Sequence, residues 1–316
     1  MAAPIVLFVY NRPQHTLKTL DALQSNIDSD QAEVIVYADG PKSGATDDVL
    51  EKIEETRKLF SRKFRFKNLT LIASDKNTGC ANSIIHGISE TLQAYSKAII
   101  LEDDIHTSPY FLRYCNLALD KYELREDVMA ISGYVYPIRK KMKHSYFVRT
   151  GAAWGWATWA RAWKQFSTEP VHLLDSIEQT GKKSIEQAGK KREFNFNNSY
   201  DFYKMLEQQR DGEIDAWCIR WYASIFLNNG LCLYPAETLT INIGQDGSGT
   251  HYTEKNNDPN FIQQILNMSE NPDNYLFPDL ITESEEGRKQ FETYFQEISS
   301  GGRMQRLKNL VKKLIH

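Results

Sequence analysis

Short apolar runs alternate with helix-period segments through the first third of this chain, and that alternation leaves few folds open. Ile5 to Tyr10 is a continuous apolar run, the signature of a strand whose sheet is covered on both faces. A segment with Leu17, Leu20 and Leu23 on one helical face follows. Glu33 to Ala38 reads as a second strand closed by Asp39-Gly40-Pro41, and Thr46 to Phe64 as a charged, exposed amphipathic helix. Leu69 to Ala73 is a third strand. Asp75-Lys76-Asn77-Thr78-Gly79 then turns into a helix from about Cys80 to Ala94, and Ala98 to Leu101 is a fourth strand. Strands separated by helices build a parallel, doubly wound α/β sheet.

The fourth strand delivers Glu102-Asp103-Asp104. Three carboxylates at the end of a buried strand do not serve packing, because an uncompensated buried charge is very costly. They need a cation, a ligand or solvent at the strand's tip, and in open α/β sheets ligands bind at the carboxyl ends of the strands. Oxygen-only ligands suit Mg²⁺ or Mn²⁺, whose remaining positions phosphate oxygens commonly fill. A metal-diphosphate site is therefore the reading, set against a solvated acidic loop after an edge strand.

Composition narrows the partners. With 41% hydrophobic and 25% charged residues in 316, the chain has enough apolar material for a sizeable core. Its net charge of −3 argues against a global nucleic-acid-binding field, for which its lysines and arginines would have to cluster. Cys80, Cys115, Cys218 and Cys232 are widely spaced, neither a zinc pattern nor a disulfide framework, and read as free thiols in a reducing compartment. The opening run lacks a basic leader and stops at Asn11-Arg12-Pro13, so it reads as a strand rather than a signal peptide. No apolar stretch approaches the ~18–20 residues that span a bilayer. The expectation is a cytoplasmic protein.

Beyond the first third the pattern changes. Gly151 to Trp159 is rich in small residues and tryptophan and runs into a helix ending near Phe166; residues 169–200 are polar and lysine-rich, with short helices. Asp215 to Leu227 is helical and closes on Asn228-Asn229-Gly230, and Leu231 to Tyr234 is a short strand. Gly244 to His251 is too glycine-rich for regular structure. In the tail, Leu307, Leu310, Val311 and Leu314 share one helical face, with basic residues elsewhere. Such a helix suits an anionic membrane surface at the inner face of the cell membrane, or equally docks on the core with its basic face solvated.

These parts, in this order, resemble a GT-A-fold glycosyltransferase, and most of all the inverting N-acetylglucosaminyltransferase I-like enzymes and bacterial sugar transferases. Four segments carry the resemblance over roughly residues 4–250: Pro4 to Arg12, Tyr37-Ala38-Asp39-Gly40, Leu101 to Ile105 with Ser108-Pro109-Tyr110-Phe111 behind it, and Asp215-Ala216-Trp217 before the strand Cys232-Leu233-Tyr234-Pro235. The acidic motif departs from plain Asp-x-Asp, and Ala216 stands where relatives often carry a second acid. The resemblance implies a GT-A domain over 1–250, with a nucleotide-binding half at 1–105 and a helical acceptor half at 106–250. Residues 251–316 then form a C-terminal extension ending in the basic amphipathic helix.

The resemblance also assigns roles. Asp104 is the expected direct ligand of Mn²⁺ or Mg²⁺, with Asp103 nearer the ribose or bridging through water and Glu102 in support. Asp39 accepts hydrogen bonds from uracil or ribose, although Asp-Gly-Pro is a strong turn in its own right. Arg12, ahead of a helix opening at Pro13, reaches a phosphate or caps a loop. Lys76 and Asn77 line the nucleotide pocket or serve only their turn. Inverting transfer needs one carboxylate to take the acceptor's proton. Asp215 is the candidate, an N-cap is its ordinary alternative, and Asp201, Asp211 and Glu213 are the other acids nearby. Trp154 and Trp156 offer aromatic walls for a sugar ring, with Trp159 in the core. His251 is a further candidate for metal or diphosphate.

The function expected is transfer of a sugar from a nucleotide-diphosphate donor, a UDP-sugar, to a saccharide or lipid-linked acceptor in surface glycan synthesis. A nucleotidyltransferase is the first rival, but its usual Gly-x-Gly loop after the first strand is replaced here by Asn11-Arg12-Pro13. A non-catalytic carbohydrate-binding or scaffold module is the second, and the intact acidic triad speaks against it.

Overall fold

The computed structural model describes residues 2–179, 184–244 and 276–299. His251 and the expected tail helix at 303–316 lie outside them. In chain order the elements are β1 (Ile5–Val9), α1 (Pro13–Gln24), β2 (Glu33–Ala38), α2 (Asp47–Lys58), β3 (Asn68–Ala73), α3 (Cys80–Ala94), β4 (Lys97–Glu102), β5 (Ile105–Thr107), α4 (Phe111–Lys121), β6 (Val128–Ser132), β7 (Tyr146–Val148) and β8 (Trp156–Trp159). They continue as α5 (Ala160–Trp163), α6 (Pro170–Gln179), α7 (Ser184–Phe194), α8 (Phe202–Arg210), α9 (Trp217–Leu227), β9 (Leu231–Tyr234), β10 (Thr240–Asn242) and α10 (Glu285–Ser299).

Eight strands form one mostly parallel sheet in the order β3-β2-β1-β4-β8-β6-β9-β7. The first four are parallel throughout, as the alternation of the first third requires. Both faces of β1 and β4 are covered. Val6, Phe8, Ala98 and Ile100 pack with residues of α3 and α9 on one side, and Ile5, Leu7, Ile99 and Leu101 with α1 and α4 on the other. This is why both strands read as continuous apolar runs rather than alternating ones.

The second half departs from expectation. Trp156 to Trp159, expected within a small-residue stretch running into a helix that ends near Phe166, is a strand inserted antiparallel between β4 and β6; the helix follows it at Ala160–Trp163, and its turns continue to Phe166. The strands β5, β6, β7 and β10 were not signalled, being three to five residues long. The helix expected at Thr46 to Phe64 ends at Lys58 and tightens into a 3₁₀ turn at Leu59–Ser61. Within the expected C-terminal extension, α10 packs Phe291 and Phe295 fully into the core shared by β9 and α9.

Candidate active site

Glu102 ends β4, and Asp103-Asp104 make the tight turn into β5. That turn is pinned from both flanks. From α1, the Thr19 hydroxyl donates to the Asp103 carbonyl at 2.8 Å. From the other flank, β10 pairs antiparallel with β5, and the Ile243 N–H donates to the Asp104 carbonyl at 2.8 Å. The Asn242 amide lies 3.5 Å from the Asp104 carboxylate, and Gly244 N–H donates back to the Asn242 side chain at 2.8 Å. A Cβ on Gly244 would lie 2.2 Å from the Asp104 carboxylate and 2.6 Å from Arg12, so any side chain there has to displace this pair.

A cation faces the acids. Arg12, in the loop between β1 and α1, donates from Nη1 to Asp104 Oδ2 at 2.8 Å and lies 3.6 Å from Asp103 Oδ1. All three side chains are about 12–16% exposed, so the pairing is sheltered while one side stays open to solvent. Burial, then the neighbouring carboxylates, push the Glu102 and Asp103 carboxyls upward; Arg12 opposes the rise in both, and the Tyr10 N–H opposes it at Asp103. The turn thus gathers three carboxyl groups around one guanidinium.

Among the described residues no three His, Cys, Asp or Glu side chains converge as a metal cage. Asp103 and Asp104 instead offer one or two oxygens. That is the share a Mg²⁺ or Mn²⁺ ion takes from protein when substrate phosphates complete its shell, so the donor set fits such an ion held jointly with a diphosphate.

Asp39 and Asn77 come together in a second cluster. Asp39 is 7% exposed, and its carboxylate accepts from the N–H groups of Gly40 (2.9 Å), Thr78 (2.9 Å) and Gly79 (3.1 Å), the Thr78 hydroxyl (3.2 Å) and the Asn77 amide (2.9 Å). A carboxylate has about four lone-pair sites, so Asp39 is saturated by its turn, and a base imide has to displace one of these donors. Gly40 makes the clamp possible: a Cβ would stand 2.5 Å from the Lys76 backbone nitrogen. Lys76 itself lies exposed on this turn.

Asp215 sits across from that turn, its Oδ2 3.8 Å from where a Cβ would lie on Gly79. It is not an N-cap: Ala216 holds that position in α9, and no side chain caps the helix. Its carboxylate is 57% exposed and 3.7 Å from Nη2 of Arg220, a side chain 9% exposed that sequence reading passed over. Burial lowers the Arg220 guanidinium, with Asp215 opposing. Burial, then Glu102, Asp103, Asp215 and Asp104, raise the Cys80 thiol at the start of α3. Asp201, by contrast, caps α8, accepting from Lys204 N–H, and Asp211 pairs with Arg210.

The two tryptophans part company. Trp154 is half-buried, edge-on to Tyr134 at 4.6 Å, and its carbonyl accepts from Thr240 Oγ1 at 2.6 Å, beside the β5–β10 ribbon under Asp104. Gly155, with φ +77°, closes that approach, since a Cβ would meet Thr240 at 2.7 Å. Trp156, expected at the donor wall, is instead fully buried, stacked on Trp217 at 5.4 Å and tilted against Trp163 and Trp221. Its position in β8, on the core-facing side of the sheet, leaves no face for a ligand.

An open, mostly parallel sheet with acids and a cation at the carboxyl edge of its parallel strands has its polar cluster where such sheets bind ligands. Residues 5–154 match the family described as Glycosyl transferase family 2. That match spans just under half of the chain, and the mostly parallel α/β sheet is consistent with a GT-A fold.

Solved structures resembling it include S. aureus TarS, at 12% identity over 78% of this chain and 38% of that one, with TM-score 0.42. The 1–349 segment of S. aureus TarS is similar at 12% identity over 95% of this chain and 72% of that one, TM-score 0.42. The same segment in complex with UDP-GlcNAc is covered over 57% of its length by 76% of this chain, at 12% identity and TM-score 0.41. No curated protein sequence matches the chain. Among the described residues no helix is long and apolar enough to cross a membrane.

Proposed function

We propose that this protein is a metal-dependent, inverting glycosyltransferase that moves a sugar from a nucleotide-diphosphate donor, a UDP-sugar, to a saccharide or lipid-linked acceptor of surface glycan synthesis. The observation carrying the reading is the Asp103-Asp104 turn, pinned at the sheet's carboxyl edge with Arg12 upon it. The anionic side chains there suit a divalent ion, and Arg12 suits a diphosphate. When bound, the ion supplies charge neutralisation for the departing nucleoside diphosphate.

The chain's own residues do the rest. Asp104 would hold the ion directly, with Asp103 nearer the ribose or bridging through water, and Arg12 would exchange its carboxylate partner for phosphate oxygen as the donor arrives. The turn at Lys76 and Asn77, fixed by Asp39, forms the wall on the nucleotide side. Asp215 takes the proton from the acceptor hydroxyl as that oxygen attacks the anomeric carbon, and Arg220 orients its carboxylate. Trp154 offers a partly exposed aromatic face to a sugar ring. The site works at the cytoplasmic face of the membrane, with His251 and the tail helix as further expected contacts to the diphosphate and to anionic lipid.

Thermal unfolding with UDP, GDP, CMP and dTDP, each with and without Mn²⁺, tests the reading. UDP with Mn²⁺ is expected to stabilise by about 2.7 kcal/mol at a hundredfold excess over Kd, the others far less, and Asp104→Asn should abolish the effect. Absence of any metal-dependent shift would leave the donor site without support.

A further inference from the structure

The two edges of the main sheet are treated differently. The β7 edge is covered: Ser284 N–H donates to the Phe147 carbonyl at 2.8 Å, Arg149 N–H donates to the Glu283 carboxylate at 2.8 Å, and Phe147 bridges with Glu283. Among the described residues, the β3 edge is bare. All of its residues but Leu69 are exposed, including Leu71 at 37% and Ile72 at 39%, and among the described residues no backbone group bonds to its outer side. Asn68-Leu69-Thr70-Leu71-Ile72-Ala73 contains no charge and no proline. Folded proteins blunt such edges with lysines, prolines, bulges or a covering segment, because a bare apolar edge is a template for another strand.

The direction of the free groups follows from the ladder. Ser74 N–H donates to the Ala38 carbonyl at 2.9 Å, and Ala73 is registered with Ala38. Since backbone groups alternate along a parallel strand, Asn68, Thr70 and Ile72 address β2. Leu69, Leu71 and Ala73 therefore send their N–H and C=O outward.

We propose that β3 is a dimerisation edge for a second copy of this chain, which adds its own β3 antiparallel about a two-fold axis at Leu71. Centred there, Leu71 faces Leu71 of the second copy and Leu69 faces Ala73, so every outward backbone group finds a partner. On the opposite face Thr70 meets Ile72. Just beyond the paired strands Lys67 stands opposite Asp75 at both ends, so the charges are complementary by symmetry. A slip of two residues toward the carboxyl end sets Lys67 against Asn77 and loses that pair. The interface is isologous and closes at two subunits.

Sedimentation velocity on the full chain, from about 1 to 100 μM, tests this. The wild type is expected to dimerise within that range. Leu71→Pro should be monomeric with an unchanged circular dichroism spectrum, because proline is tolerated where an edge N–H faces solvent. Lys67→Glu should weaken the dimer about tenfold, and Lys67→Glu with Asp75→Lys should restore it. Leu71→Cys should form a disulfide between the two substituted positions across the axis, seen by peptide mapping, since facing residues of a hydrogen-bonded pair have Cα atoms about 5.5 Å apart. A monomer throughout the range, a dimer that survives in folded Leu71→Pro, or a Leu71→Cys dimer without the cross-link would each overturn the proposal. Should Leu71→Pro fail to fold, the charge-swap pair decides: no recovery of the dimer in the double variant overturns it.

Discussion

Asp39→Asn separates the two roles open to Asp39, clamp for a turn and contact for a base. The substitution keeps size and shape but turns one acceptor oxygen into an NH₂ donor. Oδ1 serves Gly40, the Thr78 N–H and the Thr78 hydroxyl; Oδ2 serves the Asn77 amide and the Gly79 N–H. If the amide keeps oxygen on the Thr78 side, its NH₂ meets two donors, and Gly79 loses its acceptor. Asn77 cannot simply flip, because its amide also donates to the Gly40 carbonyl at 2.9 Å. The variant therefore loses two bonds to a charged group and strands at least one sheltered N–H. Together these come to about 3 kcal/mol, using ~1–3 kcal/mol per stranded group and the larger values seen for charged acceptors. For a domain of this size, ~2–4 °C per kcal/mol predicts a fall in Tm of about 6–12 °C without any ligand. Differential scanning calorimetry of the ligand-free protein reads it directly. A change under about 2 °C, with nucleotide binding lost, would refute the clamp and assign the carboxylate to the base.

Further outcomes are expected elsewhere in the site. Asp215→Asn should lower kcat by about 10²–10⁴ while leaving the metal-dependent UDP shift in place, measured by steady-state kinetics alongside thermal unfolding. The Glu102 carboxyl is raised in the folded state, by burial and then by Asp104 and Asp103. The native protein therefore binds protons more tightly than the unfolded chain, and stability falls as pH climbs above the ordinary value of about 4.3. Glu102→Gln should then raise the ligand-free Tm by ~2–4 °C near pH 8, shrinking toward zero near pH 4.5; equal shifts at both would sink the account. Gly244→Ala drives a Cβ to 2.2 Å from Asp104, so it should abolish the UDP–Mn²⁺ shift while lowering ligand-free stability by only about 1–3 kcal/mol. Trp156→Ala should cost about 3–5 kcal/mol in denaturant unfolding, whereas Trp154→Ala should chiefly raise the KM for a sugar substrate.

What the sequence by itself determined was the parallel first half, residues 5–102. Continuous apolar strands such as Ile5–Val9 and Lys97–Glu102 and the helix faces between them are local patterns, and parallel pairing follows because each crossover carries a helix. The acids Glu102 to Asp104 were placed at the site's edge for the same reason: their strand's direction fixes where its carboxyl end lies. Tertiary structure alone decided the rest. The Arg12–Asp104 pair joins residues 92 apart in the chain, and Asn242 comes beside Asp104 from 138 residues away. No local spacing encodes such partners. Trp156-Ala157-Thr158-Trp159 is too short to distinguish strand from helix by period, and only its insertion between β4 and β6 buries Trp156. The Asp39-Gly40-Pro41 turn was legible, but not that the turn would consume every acceptor site of its aspartate. That depended on β3 carrying Thr78 and Gly79 back against β2, a matter of how strands pack in space rather than of order along the chain.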